Sequence, residues 1–240
     1  MDIQAITSEQ LFGACLVAQQ KTKIFCSRSE YDFEITEQIF ERMKSNLPVL
    51  KAWYVTNLKV DHPSLWSIPL GLNDYCDYSA FHKVAGDLQY FKLVAEQPRL
   101  PQISANFSES TYPQTREEAM RVARGHPKCE ILPVDRSVPG FRKSLQLLAC
   151  SEFAMCPRGN GLDTHRFWKS LYLGCIPICL ESDLLECHRG LPLLAIDSWE
   201  QLFDLDLIAV SEQIRHQRYD LRRLCLDYWI DCMRSVYLHR

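Results

Sequence analysis

Cys156-Pro157-Arg158-Gly159-Asn160-Gly161-Leu162-Asp163-Thr164-His165-Arg166 is the stretch whose reading decides the fold. The apolar run Phe153-Ala154-Met155-Cys156 enters it like a short buried strand. Gly159 and Gly161 then let backbone approach a ligand with no Cβ in the way. Asp163 or Thr164 can cap a helix carrying Phe167, Trp168, Leu171 and Tyr172 at helical spacing, and Gly174 stands where a left-handed residue would end it. Ile176-Pro177-Ile178-Cys179-Leu180 resumes as a second strand. Strand, glycine loop and helix start together present free N–H groups and a positive helix end to an anion. Arg158 and Arg166 flank the loop, and each can grip phosphate oxygens through a forked, charge-assisted contact. The stretch therefore reads as a phosphate or diphosphate site in an α/β domain. The competing reading is a tight strand-to-helix turn with Asp163 as cap and both arginines solvated.

Working outward, residues 102–205 alternate strand and helix. Strands are expected at Gln102–Phe107, Cys129–Leu132 and Leu193–Ile196, and helices at Thr115–Arg124 and Phe141–Cys150. Thr115 with Glu118, and Ser198 with Gln201, have capping-box spacing. Such alternation predicts a parallel, doubly wound sheet, whose ligands bind outside the carboxyl ends of the strands. Upstream, Lys23–Cys26 and Ala52–Thr56 read as strands and Thr36–Met43 as a helix, with a further helix expected within residues 1–20. This first part resembles a reduced β/α domain. Pro98 and Pro101 mark the boundary between the two. Ser211–Tyr237 reads as one long amphipathic helix, with Leu221, Leu224, Cys225, Tyr228, Trp229, Cys232 and Val236 on one apolar stripe. The division expected is 1–98, 99–210 and 211–240.

Composition narrows the function. A formal charge of −3 over 240 residues gives no basic footprint for nucleic acid. Apolar runs fall far short of the ~20 residues that span a bilayer, so no integral membrane segment is expected. Eleven cysteines, an odd count with no signal-like leader and no C-x-x-C pair, argue for free thiols in a reducing compartment rather than disulfides or zinc. Asp204-Leu205-Asp206 has the D-x-D pattern of metal-dependent transferases but lies late in the chain, away from a central strand, so no metal is expected.

The residues from Ser151 to Leu180 resemble the donor-binding signature of exostosin-like glycosyltransferases. Cys156, Pro157, Arg158, Gly159, Asn160, Gly161, Arg166, Gly174, Cys175, Ile176, Pro177 and Ile178 carry the match, in order and at the family's spacing. Asn57 to Asn73 looks, more loosely, like a segment ahead of that domain. The resemblance implies a GT-B-like fold of two Rossmann-type β/α domains, with a C-terminal helix returning to the first. It implies inverting transfer of a sugar from a nucleotide diphosphate sugar, uridine first and guanosine second, to an oligosaccharide or glycan hydroxyl. No prosthetic group is called for. Related animal enzymes sit behind a Golgi membrane anchor; with no anchor in the sequence, a cytoplasmic enzyme is expected. One departure stands out: the family usually has Glu, for the ribose hydroxyls, where this chain has Lys169, and a protonated Lys accepts no hydrogen bond.

Under that reading Arg158, Arg166 and the N–H groups of Gly159, Asn160 and Gly161 stabilise the leaving diphosphate. His165 adds a bond to phosphate or sugar, or is a surface residue. Asn160, Asp163 and Thr164 reach sugar hydroxyls or cap the helix. Asn106 and Ser108 follow the first strand of the second domain and face the same cleft; Arg116 lies near that edge or is solvated. Lys169 pairs with donor phosphate or faces solvent. Inversion needs a base for the acceptor hydroxyl. Asp61 and His62 are the candidates, with Asp74 and Asp77 in reserve, although Asp61 also suits a plain turn. The alternatives are a catalytically silent, nucleotide-binding relative and another α/β enzyme with the same anion loop.

Overall fold

The structure is a computed structural model and describes residues 24–27, 37–46, 52–73 and 87–238. The helix expected within residues 1–20, and Asp74 and Asp77, lie outside the described residues.

Three strands, β1 (Ile24–Ser27), β2 (Ala52–Val55) and β3 (Leu65–Ser67), form a small parallel sheet in that order, with α1 (Glu37–Asn46) between β1 and β2 in the chain. The larger sheet contains β4 (Leu100–Ala105), β5 (Cys129–Ile131), β6 (Ser151–Met155), β7 (Ile176–Leu180) and β8 (Leu194–Ile196). Its order is β5-β4-β6-β7-β8, all parallel. From β4 the chain steps outward to β5, crosses back to β6 and then proceeds the other way. The strand order therefore reverses between β4 and β6, and in open α/β sheets that crevice receives ligands.

Burial on both faces explains the nearly continuous apolar strands. On β6, Phe153 and Met155 join one core with Ile103, Ala105, Ile176, Ile178 and the inner face of α3 (Pro113–Gly125). Ala154 and Cys156 point the opposite way, to Phe141, Leu145 and Leu148 of α4 (Val138–Cys150) and to Phe167, Trp168 and Leu171 of α5 (His165–Tyr172). That second core is also where the two sheets meet. Ala52, Tyr54, Ile68 and Leu72 of the small sheet belong to it, as do Phe91 and Val94 of α2 (Leu88–Ala95).

Several elements depart from the sequence reading. Helix α2 was not anticipated; Asp87 starts it by accepting the Gln89 and Tyr90 N–H groups. Helix α3 begins at Pro113 rather than Thr115, without a side-chain cap, because proline already fixes a helical φ at its first position. Ser198 caps nothing: Trp199–Phe203 is a 3-10 turn, and α6 (Leu207–His216) starts only where Asp206 accepts the Ile208 and Ala209 N–H groups. That capping role is what the second aspartate of the D-x-D pattern does. The long C-terminal helix is two helices. α6 ends at His216, Asp220 caps a separate 3-10 turn at Leu221–Leu224, and α7 (Leu226–Leu238) follows. Leu221, assigned to the apolar stripe, is half exposed, while Leu224, Trp229 and Met233 reach the shared core. No helix among the described residues is long and apolar enough to cross a membrane.

Candidate functional site at the strand-order reversal

The loop between β6 and α5 runs across the crevice between β4 and β6. Helix α5 is delimited as its sequence suggests. Thr164 Oγ1 accepts the Phe167 N–H at 3.4 Å. At the other end Gly174, at φ 69°, sends its N–H to Leu171 O while Cys175 N–H reaches Ser170 O, the paired bonds of a glycine-terminated helix.

Arg166, in the first turn of α5, is committed to the strand ends. Its Nε donates to Met155 O at 2.8 Å, Nη1 to Asn106 O at 3.2 Å, and Nη2 to Ser104 O at 3.0 Å and Ser104 Oγ at 3.2 Å. One guanidinium thus ties the carboxyl ends of β4 and β6 together. Asn106 turns its side chain away, donating from Nδ2 to Leu132 O and Pro133 O, and Ser108 Oγ pairs with Ser110 Oγ.

Arg116 was set aside in the sequence as a residue that solvent could claim. It folds inward instead, with Nε on Arg158 O at 2.7 Å and Nη1 on Ser108 O at 3.1 Å. A Cβ on Gly159 would stand 3.1 Å from its Nη2, so Gly159 leaves the space this guanidinium occupies. Arg158 lies over the Tyr112 ring, 4.3 Å from guanidinium carbon to ring centroid, and reaches Asn160 O at 3.3 Å. Lys169, a turn after Arg166, is only 9% exposed and holds its ammonium 4.6 Å from the Phe141 centroid.

Arg116, Arg166 and Lys169 make no ion pair among the described residues. Burial, then mutual repulsion, weakens their hold on protons. Desolvation and the Arg166 charge bring Arg116 down to about 10, and the same two causes bring Lys169 down to about 7. Desolvation also lowers Arg166. Cations concentrated with no carboxylate partner among the described residues create a positive field that attracts anions.

The second half of the loop is built differently. A Cβ on Gly161 would stand 2.6 Å from Asn57 Nδ2, so the small sheet packs directly on this glycine. Asn57, held at φ 58°, accepts the Asp163 N–H at 2.8 Å. Asp163 is 3% exposed, and its carboxylate accepts from Leu70 N at 2.6 Å, Trp168 Nε1 at 2.8 Å and His188 Nε2 at 3.0 Å. His165 Nδ1 lies 2.8 Å from Gly71 O. Asp163 and His165 therefore link the segment after β3 to the large sheet, and the Asp163 carboxylate is taken up entirely by buried protein donors.

Asp163, Cys187 and His188 place their ligand-type atoms within 4.8 Å of one another. Burial works against charge on His188, while Cys187 and Asp163 favour it and draw its pKa upward. Against that pull, the Leu185 N–H aimed at Nδ1 from 3.2 Å can be accepted only by the neutral ring, so the geometry keeps a single proton, on Nε2. With Nε2 donating and Nδ1 accepting, neither nitrogen offers a lone pair to a metal, and the group is a hydrogen-bonded core. No sequence signal pointed to His188; it becomes visible only when the turn after β7 folds back onto Asp163.

Asp61 and His62 lie elsewhere, on a cavity of about 810 Å³ between the small sheet, the turns after β7 and α7. His62 Nδ1 accepts the Ser64 N–H at 3.0 Å, which leaves Nε2 carrying the proton in the neutral ring. As a base, His62 is spent; Asp61 is exposed and keeps its carboxylate available.

No protein family matches the sequence, and no curated protein matches it. Among solved structures, the chain is similar to the alpha,alpha-trehalose 6-phosphate synthase of Burkholderia multivorans at 12% identity and a TM-score of 0.31, over 97% of this chain and 49% of that one. The chain thus spans about half the length of this solved relative.

Proposed function

We propose that the chain is a glycosyltransferase that takes its sugar from a nucleotide diphosphate sugar bound at the β4–β6 crevice. The observation that carries this reading is the group of cations there, Arg116 and Arg166 above all, which has no carboxylate partner among the described residues. A diphosphate leaving group develops charge as the glycosidic bond breaks, and guanidinium groups already positioned by backbone carbonyls meet that charge without reorganising. Arg116 and Arg158 contact the diphosphate; Arg166 holds the strand ends and adds field. The resemblance of Cys156–Ile178 to exostosin-like enzymes points the same way and suggests uridine before guanosine and an inverting displacement. Asp61 then takes the proton of the acceptor hydroxyl.

The decisive experiment compares UDP and GDP with uridine and guanosine by calorimetry, on the native chain and Arg116→Met. The diphosphates should bind at least tenfold better than the nucleosides, and Arg116→Met should remove most of that advantage, roughly 1.5–3 kcal/mol for a charge-assisted contact. Equal binding of nucleoside and diphosphate by the native chain would sink the proposal. Lys169 supports a second reading, a nucleotide-binding relative without turnover, because an ammonium stands where a ribose-holding carboxylate is usual. Tight UDP binding with no sugar transfer from any UDP-sugar would favour it.

A further inference from the structure

The cavity beside Asp61 differs in chemistry from the cationic crevice, and Arg116, Arg158, Arg166 and Lys169 are absent from its walls. Its volume, about 810 Å³, lies toward the upper end of small-ligand sites, which run to about 1,000 Å³. Trp66, 36% exposed, stacks on Tyr54 with centroids 5.9 Å apart and planes at 21°. Helix α7 adds Tyr228 and Trp229, packed edge to face at 5.2 Å.

The charged groups on the walls other than Asp61 already have partners. Arg189 pairs with Glu181 at 3.7 Å and Glu186 at 3.8 Å, Lys59 Nζ donates to Ser182 O at 2.6 Å, and Arg223 Nη1 donates to Arg189 O at 2.9 Å. Three cations (Lys59, Arg189, Arg223) stand against three carboxylates (Asp61, Glu181, Glu186), so the walls favour no net charge. Ser67, by contrast, lines the cavity 9% exposed, with Oγ buried and without a hydrogen-bond partner among the described residues. A buried hydroxyl left so costs free energy, and rotation of the Ser67 side chain toward the cavity would let a ligand's hydroxyl recover it.

We infer that this cavity binds an uncharged oligosaccharide. A pyranose ring has a C–H face that lies flat on an aromatic ring and an edge of hydroxyls that both donate and accept. Trp66 supplies the platform, Ser67 and the paired charges of the rim supply the partners, and the absence of net charge excludes nucleotides and acidic glycans. The inference rests on the glycosyltransferase reading only in making this saccharide the acceptor; binding itself requires no donor.

The test uses the full chain and neutral tetrasaccharides (maltotetraose, cellotetraose and tetra-N-acetylchitotetraose), with a uronate-containing tetrasaccharide and UDP as contrasts, read by tryptophan fluorescence and calorimetry. At least one neutral tetrasaccharide should bind. Trp66→Ala should weaken it about tenfold or more and Trp66→Phe should restore most of the loss, with UDP affinity unchanged in both. Ser67→Ala should cost several-fold. Arg116→Met should behave in the opposite way, losing UDP and keeping the saccharide. Binding of none of the neutral probes, preference for the uronate, or saccharide binding indifferent to Trp66 would each overturn the inference. Saccharide binding without diphosphate binding would instead remove the donor proposal and leave this site standing.

Discussion

The two halves of the loop between Met155 and Phe167 have the same surface grammar, a glycine beside polar residues, and do opposite things. In the first half Gly159 makes room for Arg116, and Arg158 and Asn160 remain partly exposed beside a crevice where Arg116 and Arg166 make no ion pair among the described residues. In the second, Gly161 makes room for Asn57, Asp163 is buried in bonds with Leu70, Trp168 and His188, and the half-buried His165 reaches Gly71 O. A dense motif therefore combines two arrangements at once: a cluster of buried cations and a seal between two sheets. The comparison has a direct experimental form. Substitutions in the second half should cost stability, and those in the first should cost ligand.

Asp163→Ala is expected to have the largest effect. It strands the Leu70 N–H, the Trp168 indole N–H and the His188 Nε2–H in a dry interior, a loss of about 3–5 kcal/mol by analogy with broken buried pairs. Urea unfolding followed by circular dichroism measures it. A loss under about 1 kcal/mol would mean that the small sheet is not anchored through this carboxylate.

Lys169 supplies a pH-dependent version of the same contrast. Its pKa is 10.5 in an unfolded chain and about 7 when folded, so between those values the unfolded state binds more protons. Stability contributed by this group therefore rises as pH climbs from about 7 toward 10.5, and below about 7 the full penalty of a buried charge persists. Lys169→Met should be more stable than the native chain by a few kcal/mol at pH 6, and the gap should close by pH 10. A gap that stays constant with pH would show that Lys169 keeps its proton in both states. Bound diphosphate should narrow the gap as well, since an anion restores the charged form.

The glycines separate the halves more finely. Gly161→Ala pushes a methyl group into the Asn57 amide and dislodges the bond to Asp163 N, so about 1–3 kcal/mol of destabilisation is expected. Gly159→Ala meets the far end of the Arg116 side chain at 3.1 Å, with Thr111 Cγ2 at an ordinary 3.7 Å, so Arg116 need shift only by a few tenths of an ångström. Its stability should change by less than about 1 kcal/mol, while affinity for UDP falls because Arg116 has moved. Equal stability losses at the two positions would erase the distinction between the halves.

Much of the larger sheet was legible because its signals are local. Phe153–Cys156, the helix from His165 to Tyr172, Gly174 and Ile176–Leu180 each carry periodicity or a backbone requirement within a few residues. The misreadings share a cause: one local pattern was overruled by a competing local signal. The Thr115–Glu118 spacing lost to Pro113, and the apolar stripe across Leu221–Val236 hid a break that Asp220 makes by capping its own turn. In the candidate site, Arg158 and Arg166 were found through the glycines between them, although Arg166 proves to be largely a brace for strand ends. Arg116 was undervalued because nothing in its own helix says that the partner carbonyl belongs to Arg158, far along the chain. Asn57, Leu70 and His188 meet Asp163 only across the two sheets, a contact no window of sequence contains.

The smallest expected effect lies at the hinge between the halves. Thr164 belongs to neither: its hydroxyl caps α5, and the 3.4 Å distance to Phe167 N marks a weak bond. Thr164→Ala should therefore cost about 0.5–1 kcal/mol, the low end of capping losses, with Thr164→Ser recovering most of it. The direction of the ligand effect is the informative part. If α5 meets a phosphate with its N-terminal N–H groups, fraying its first turn should weaken UDP binding by about the helix-terminus contribution, 0.3–1 kcal/mol, and leave uridine unaffected. If UDP and uridine weaken alike, or neither changes, the anion is held by the guanidinium groups alone and the helix end serves only the fold.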